Sequence, residues 1–220
     1  MRSKDIILVL DFGSQYTQLI ARRVRESKVF SKIVPYNIPM DEIIKMNPKG
    51  LILSGGPLSV YDKGAPLPHK DIFKLKVPIL GICYGAQLIT HMFGGKVDKT
   101  QEREYGRAEL FIDSPKDIFF NLPSNITSWM SHGDEIKKLP PGFRSIAHTL
   151  STPNAAIAHP QKKVFGVQFH PEVVHTQRGT QIITNFVFQS CGCLARWTMD
   201  KFIKEKVKEL KEVIKDKKVV

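Results

Sequence analysis

The sequence is poor in cysteine, with three among 220 residues. Two of these, Cys191 and Cys193, stand almost side by side. That scarcity excludes a disulfide-stapled scaffold and points to a reducing, cytoplasmic compartment. C-x-C without a third and fourth ligand nearby reads as a pair of structural thiols, so no metal is expected. No apolar run approaches the roughly 18 residues of a membrane span, which argues against a membrane partner. The opening Met1-Arg2-Ser3-Lys4-Asp5 leads into a short apolar stretch without a small-residue cleavage site, so no signal peptide is expected. Zinc-finger spacing, the aromatic RNA-binding signature and the Walker-type Gly-rich loop are all missing, as are internal repeats and low-complexity tracts.

Acidic residues are also in short supply. Lys and Arg number 33 against 21 Asp and Glu, a formal net charge of +12. Such an excess suggests nucleic acid, another anionic partner or simply a Lys-rich surface. The last twenty residues decide between them, holding eight Lys against four Asp or Glu, a third of the total excess. There, Phe202, Ile203, Val207, Leu210, Val213 and Ile214 recur mostly at three- and four-residue steps, the pattern of an amphipathic helix. Lys201–Glu205 and Lys208–Glu212 lie four apart, Glu205–Lys208 and Glu212–Lys215 three apart. A face of mixed sign is a solvated helix surface, and no nucleic-acid partner is expected.

What is present is a chain of ordinary apolar content, 42%, long enough to bury a core without staples. Its first half alternates short apolar runs with helical patterns. Ile6–Leu10, Phe30–Tyr36, Gly50–Ser54 and Pro78–Ile82 read as strands. Tyr16–Glu26, Met40–Met46 and a stretch from about Gly85 to Phe93 read as helices. Ile-, Leu- and Val-rich strands alternating with helices predict an α/β fold whose mostly parallel sheet is covered on both faces. Such sheets carry their sites at the carboxyl ends of the strands. From Arg107 to Phe169, short strand patterns broken by Pro, Gly, Asn and Asp predict a smaller antiparallel section, and Thr180–Gln189 reads as a further helix.

One short segment carries chemistry. Gly81-Ile82-Cys83-Tyr84-Gly85 joins a buried strand to a helix, the spacing of a nucleophile elbow with Cys in place of Ser. A nucleophile on so tight a turn sits in a strained backbone, and the flanking glycines avoid clashes around it. The helix N-terminus favours negative charge on the sulfur, and the Tyr84 N–H is placed to hold an oxyanion. A lone Cys after a strand is usually a small core residue, so this reading needs a base. Phe169-His170-Pro171-Glu172 supplies one at the end of the run Val164–Val167. His170 and Glu172 are two apart, so on extended backbone both point to one side, and the carboxylate can orient the imidazole. The other histidines lack such a context. Gly55-Gly56-Pro57, ending a neighbouring strand, is either a plain turn or a second oxyanion donor.

Together, Gly81-Ile82-Cys83-Tyr84-Gly85-Ala86-Gln87, Ser54-Gly55-Gly56-Pro57 and Phe169-His170-Pro171-Glu172 resemble the class I (triad) glutamine amidotransferases. Asp11–Arg25, Ser59-Val60-Tyr61, Ser131-His132-Gly133-Asp134, Glu172–Thr176 and Cys191-Gly192-Cys193 with Trp197-Thr198 are similar to one branch of that family. In that branch the glutaminase domain feeds ammonia to an ATP-pyrophosphatase (synthetase) domain that converts XMP to GMP with ATP and Mg²⁺. The resemblance implies that Cys83 attacks the side-chain amide of glutamine, with His170 as base and then acid and Glu172 orienting it. A glutamyl thioester forms and water then releases glutamate. It implies an oxyanion hole from the N–H groups of Gly56 and Tyr84. Glutamine recognition would fall to Gly55, Gln87, Ser131, His132, Gly133 and Asp134. It implies a glutaminase domain over 1–190 that needs no cofactor of its own. Residues 191–220 would form a linker helix toward a synthetase domain absent from this sequence, whose first strand would begin at Asp216–Val220. The synthetase signature Ser-Gly-Gly-Val-Asp-Ser is not in the chain, and Leu194-Ala195-Arg196 departs from the branch's usual Ser/Gly-rich stretch. For the full-length enzyme, a homodimer is the oligomeric state considered. Two other readings stay open on the residues alone: the amidotransferase component of another enzyme, such as anthranilate synthase, and a non-catalytic glutamine-binding regulatory module.

Overall fold

The computed structural model describes residues 5–215. Five strands form the parallel half of one nine-stranded sheet: β1 (Ile6–Asp11), β2 (Phe30–Pro35), β3 (Gly50–Leu53), β4 (Ile79–Ile82) and β9 (Val164–Val167). The antiparallel half comprises β5 (Lys96–Ile112), β6 (Asn125–Lys138), β7 (Arg144–His148) and β8 (Ala156–His159). Across the sheet the order is β2-β1-β3-β4-β9-β8-β7-β5-β6.

Every residue of β3, β4 and β9 is buried, as expected for strands covered on both faces. Along β1, Ile7 and Val9 enter one core while Leu8 and Leu10 enter the other, the period of two that a pleated strand imposes. On the first face, α1 (Thr17–Glu26) lays down Ile20, Ala21 and Val24 at helical spacing, beside α4 (Gly179–Asn185) with Ile182 and Ile183. On the second, α3 (Tyr84–Met92) buries Ala86, Leu88 and Ile89, and α2 (Met40–Met46) buries Ile43. Each of the larger aliphatic side chains contributes on the order of 2 kcal/mol.

The α/β reading of the first half holds, with each element within about two residues of its expected bounds. Two boundaries differ further along. The antiparallel section begins at Lys96, because β5 is one 17-residue strand running through a register slip. Within the section expected to be antiparallel, β9 runs parallel to β4, while its other neighbour β8 is antiparallel. The helix expected over Thr180–Gln189 is regular only to Asn185 and then widens into a π-turn over Phe186–Ser190.

Cys191 and Cys193 pack into the core. Burial pushes the Cys193 thiol up to about 12 and the Cys191 thiol well up, which suits inert thiols. Trp197 and Phe202 lie against Phe30 at the β2 edge. The amphipathic helix forms as α5 (Met199–Ile214), its Lys208–Glu212 pair 4.0 Å apart. Its apolar Ile203, Val207, Leu210 and Val213 face solvent. Asp216–Val220, read as the start of a further strand, lies outside the described residues. No described helix is long and apolar enough to cross a membrane.

Candidate active site

Cys83 leaves β4 with φ 52° and ψ −106°, a conformation that costs an L-residue about 1–3 kcal/mol. The surroundings force it. A Cβ on Gly81 would lie 2.4 Å from the backbone of Gly85, and one on Gly85 would lie 2.3 Å from the Leu53 carbonyl oxygen. Both flanking positions therefore admit only glycine, and α3 starts directly at Tyr84, where helix N–H groups lack intrahelical partners. The turn is pinned from below by the Cys83 N–H, which donates to the Val167 carbonyl at 2.8 Å.

That bond ties the elbow to β9, whose continuation carries His170 and Glu172. His170 Nδ1 lies 2.8 Å from Glu172 Oε1, and both side chains are buried. The second Glu172 oxygen, Oε2, is buried without a hydrogen-bond partner among the described residues. A carboxylate so placed depends on a positive imidazole, because an unpaired buried charge is costly. Burial by itself would lower the His170 pKa. Its hydrogen bonds to Cys83 and Glu172, and their negative charge, raise it instead to about 10. This exceeds the ordinary histidine value of 6.5. The imidazolium therefore stabilises the fold fully below the unfolded value, and that contribution is lost as pH rises through the folded one. The urea midpoint is expected to fall between about pH 6 and about pH 10, and to fall further in the wild-type chain than in His170→Gln. Equal falls would contradict a charged His170–Glu172 pair.

Cys83 stands where two cavities meet. The larger, about 450 Å³, is walled by Gly56, Ser59, Gln87, Ser131, His132 and Asp134. The smaller, about 250 Å³, holds Gly13, Ser14, Tyr16, Gly55 and His170. Ser131 carries its carbonyl to 3.7 Å from the Cys83 sulfur. Gly56 packs so closely that a Cβ there would meet the Phe12 carbonyl at 2.9 Å and the Tyr84 ring at 3.2 Å. A buried thiol, an oriented imidazole and close-approaching glycines form the apparatus of covalent acyl transfer.

Residues 8–190 match the glutamine amidotransferase class-I family. The chain belongs to that family. It is 49% identical over 217 residues to a GMP synthase [glutamine-hydrolyzing] of Thermosynechococcus vestitus, covering 99% of this chain and 41% of that protein. With the enzyme of the same description from Caldanaerobacter subterraneus subsp. tengcongensis, identity is 52%, over 99% of this chain and 42% of the relative. The chain thus spans about two fifths of the length of the curated relatives it matches. A solved GMP synthase subunit from Thermoplasma acidophilum superposes with a TM-score of 0.79 at 34% identity. The match covers 93% of this chain and 100% of that one. A glutamine amidotransferase of Thermotoga maritima shares the fold, with a TM-score of 0.63 at 19% identity over 95% and 89% of the two chains.

In this amidotransferase the structure brings all the singled-out residues to the carboxyl ends of β3, β4 and β9 and the facing stretch of β6. Gln87 lines the larger cavity from α3. Its Nε2 donates to the Asp134 carbonyl at 3.1 Å and so braces the β6 wall. The Asp134 carboxylate is likewise engaged, accepting from the Ser59 hydroxyl and, at 2.7 Å, from the Tyr61 hydroxyl. It fastens the loop after β3, which carries Gly56, to the opposite wall. Several supports did not stand out in the residue pattern. Tyr16 sets its ring edge-on to His170 at 5.4 Å. Thr176 donates to the His170 carbonyl at 2.6 Å, and the His170 N–H donates to the Trp129 carbonyl at 3.0 Å. Arg23, from α1, donates to the Glu172 carbonyl at 3.0 Å. All but the Thr176 contact join distant stretches of chain, and no local spacing signals them.

Proposed function

We propose that this chain hydrolyses the side-chain amide of glutamine and supplies the ammonia to a synthetase that aminates XMP to GMP. The observation that carries the reading is the Cys83 elbow bonded to the strand that ends in His170 and Glu172. With the thiol proton already on His170, the Cys83 thiolate attacks the amide carbon, and the imidazolium gives that proton to the departing nitrogen. The thioester oxygen is met by the N–H groups of Gly56 and Tyr84. His170 then activates water, which releases glutamate and restores the thiolate. The larger cavity takes the amino-acid end of glutamine along Ser131, His132 and Gly133. Asp134 and Gln87 hold that wall in place.

The likeness to GMP synthases supports the destination of the ammonia. The ATP and Mg²⁺ used in that step belong to the synthetase, either on the same longer chain or encoded separately, in the cytoplasm. The domain division is 1–190 for the glutaminase, with the rest, including α5, leading toward the synthetase. The test is a glutamine-analogue chloroketone followed by mass spectrometry, together with glutamate release measured with and without the synthetase, ATP and XMP. A single adduct on Cys83 and glutamate release dependent on it are expected. Glutamine binding without any adduct on Cys83 would show a non-catalytic module.

A further inference from the structure

The larger cavity's wall depends on a carboxylate outside the triad. β5 and β6 pair in register from Val97 to Lys99, where Lys99 lies opposite Asp134, and again from Glu104, which lies opposite His132. Between these two pairings the register slips, with Gly133 the one residue of β6 between Asp134 and His132. Past the slip the ladder runs unbroken from Glu104 to Phe111, and at its first pair a side-chain contact can hold the register.

Glu104 makes that contact. Its Oε2 lies 3.5 Å from His132 Nε2, and the His132 side chain is fully enclosed. The same carboxylate accepts from the Thr149 hydroxyl at 3.1 Å and the Thr152 hydroxyl at 2.7 Å. These two threonines follow β7, so Glu104 joins three segments at one point. Burial would raise its pKa, but the contacts with His132, Thr152, Ser151 and Thr149 outweigh burial and hold it at about 2. Among the described residues, neither ring nitrogen of His132 makes a full hydrogen bond. Its polar contact among the described residues is the one with Glu104. One residue before His132 is Ser131, whose carbonyl faces the Cys83 sulfur.

We propose that Glu104 is a positioning residue of the glutamine pocket: through His132 it sets where β6 re-pairs with β5, and so places the Ser131–Gly133 backbone beside Cys83. It touches neither the thiol nor the imidazole of His170. This rests on the glutamine reading above, and the experiment separates the two.

Glu104→Gln keeps the shape and loses the charge. The 220-residue chain and the variant are treated in parallel with a glutamine-analogue chloroketone and with iodoacetamide, and the alkylation rates of Cys83 are compared. Iodoacetamide senses the sulfur alone, whereas the chloroketone must also be gripped by the pocket. The variant is expected to react with the chloroketone about tenfold more slowly and with iodoacetamide within about twofold of wild type. Thr152→Val removes one donor to Glu104 and should show the same split in smaller measure, which keeps the test decisive should Glu104→Gln fail to fold. An undiminished chloroketone rate in the folded variants would overturn the positioning role, as would an equal fall with both reagents. A wild-type chain with no preference for the chloroketone would instead overturn the glutamine reading.

Discussion

Alanine at Gly81 is expected to destabilise the fold by about 3 kcal/mol or more and to abolish glutaminase activity with it. The new Cβ would sit 2.4 Å from the carbonyl carbon and oxygen of Gly85 and 2.7 Å from the Ala86 nitrogen. All three are backbone atoms of the helix that carries the proposed oxyanion N–H, so no side chain can swing aside. Relief would require α3 to move away from β4, carrying Tyr84 off the position where it faces Gly56. A useful contrast is Gly133→Ala, whose Cβ would meet nothing nearer than the Tyr105 hydroxyl at 3.8 Å. Urea unfolding of the two variants should show a large loss for Gly81→Ala and a change within about 0.5 kcal/mol for Gly133→Ala. Similar losses at both positions would mean that the close approach of strand and helix is not what makes Gly81 necessary.

Removing the sulfur should separate activity from stability. Cys83→Ala is expected to cut glutamate release by about 10⁴-fold or more, as loss of a triad nucleophile does, while the chain still folds. Cys83→Gly should be equally inactive yet more stable than Cys83→Ala by about 1 kcal/mol, because only glycine adopts φ 52° without a side-chain penalty. The site thus holds its nucleophile against the preference of its own backbone, and the Cys83–Val167 bond with the packing of α3 supplies the restraint. Thermal unfolding of the two variants, paired with a glutamate assay, checks both parts. Equal stability of Ala and Gly here would deny the strain, and residual turnover above background in either would deny the nucleophile.

How much of this was legible in the sequence depends on the distance over which each feature is set. The elbow was readable because Gly81, Cys83 and Gly85 answer to one another within five residues. His170 and Glu172 were readable for the same reason. Strands β1, β3 and β4 were readable because burial on both faces leaves an uninterrupted apolar run. The slip in β5 was not, because polar residues 100–103 look like a loop and only the partner strand shows them to be a bulge. The role of Asp134 as a fastener depends on Ser59 and Tyr61, more than seventy residues away, and its sequence neighbours resemble a recognition motif. Arg23 reaches Glu172 across 149 residues. Nothing in a run of arginines on a helix distinguishes that one from its exposed neighbour Arg22.

Cys83 and His170 follow neighbouring strands that are far apart along the chain, β4 and β9. Between them the chain makes the whole antiparallel excursion of β5 to β8 before returning to fill the gap beside β4. Long-range pairing of this kind is slow, because loop closure must precede any reward from contact. A nascent chain exposes Cys83 well before His170 can reach it, and the proposed triad comes together only once β9 has joined the sheet. Recovery of Cys83 reactivity during refolding therefore serves as a clock for the closing of the sheet.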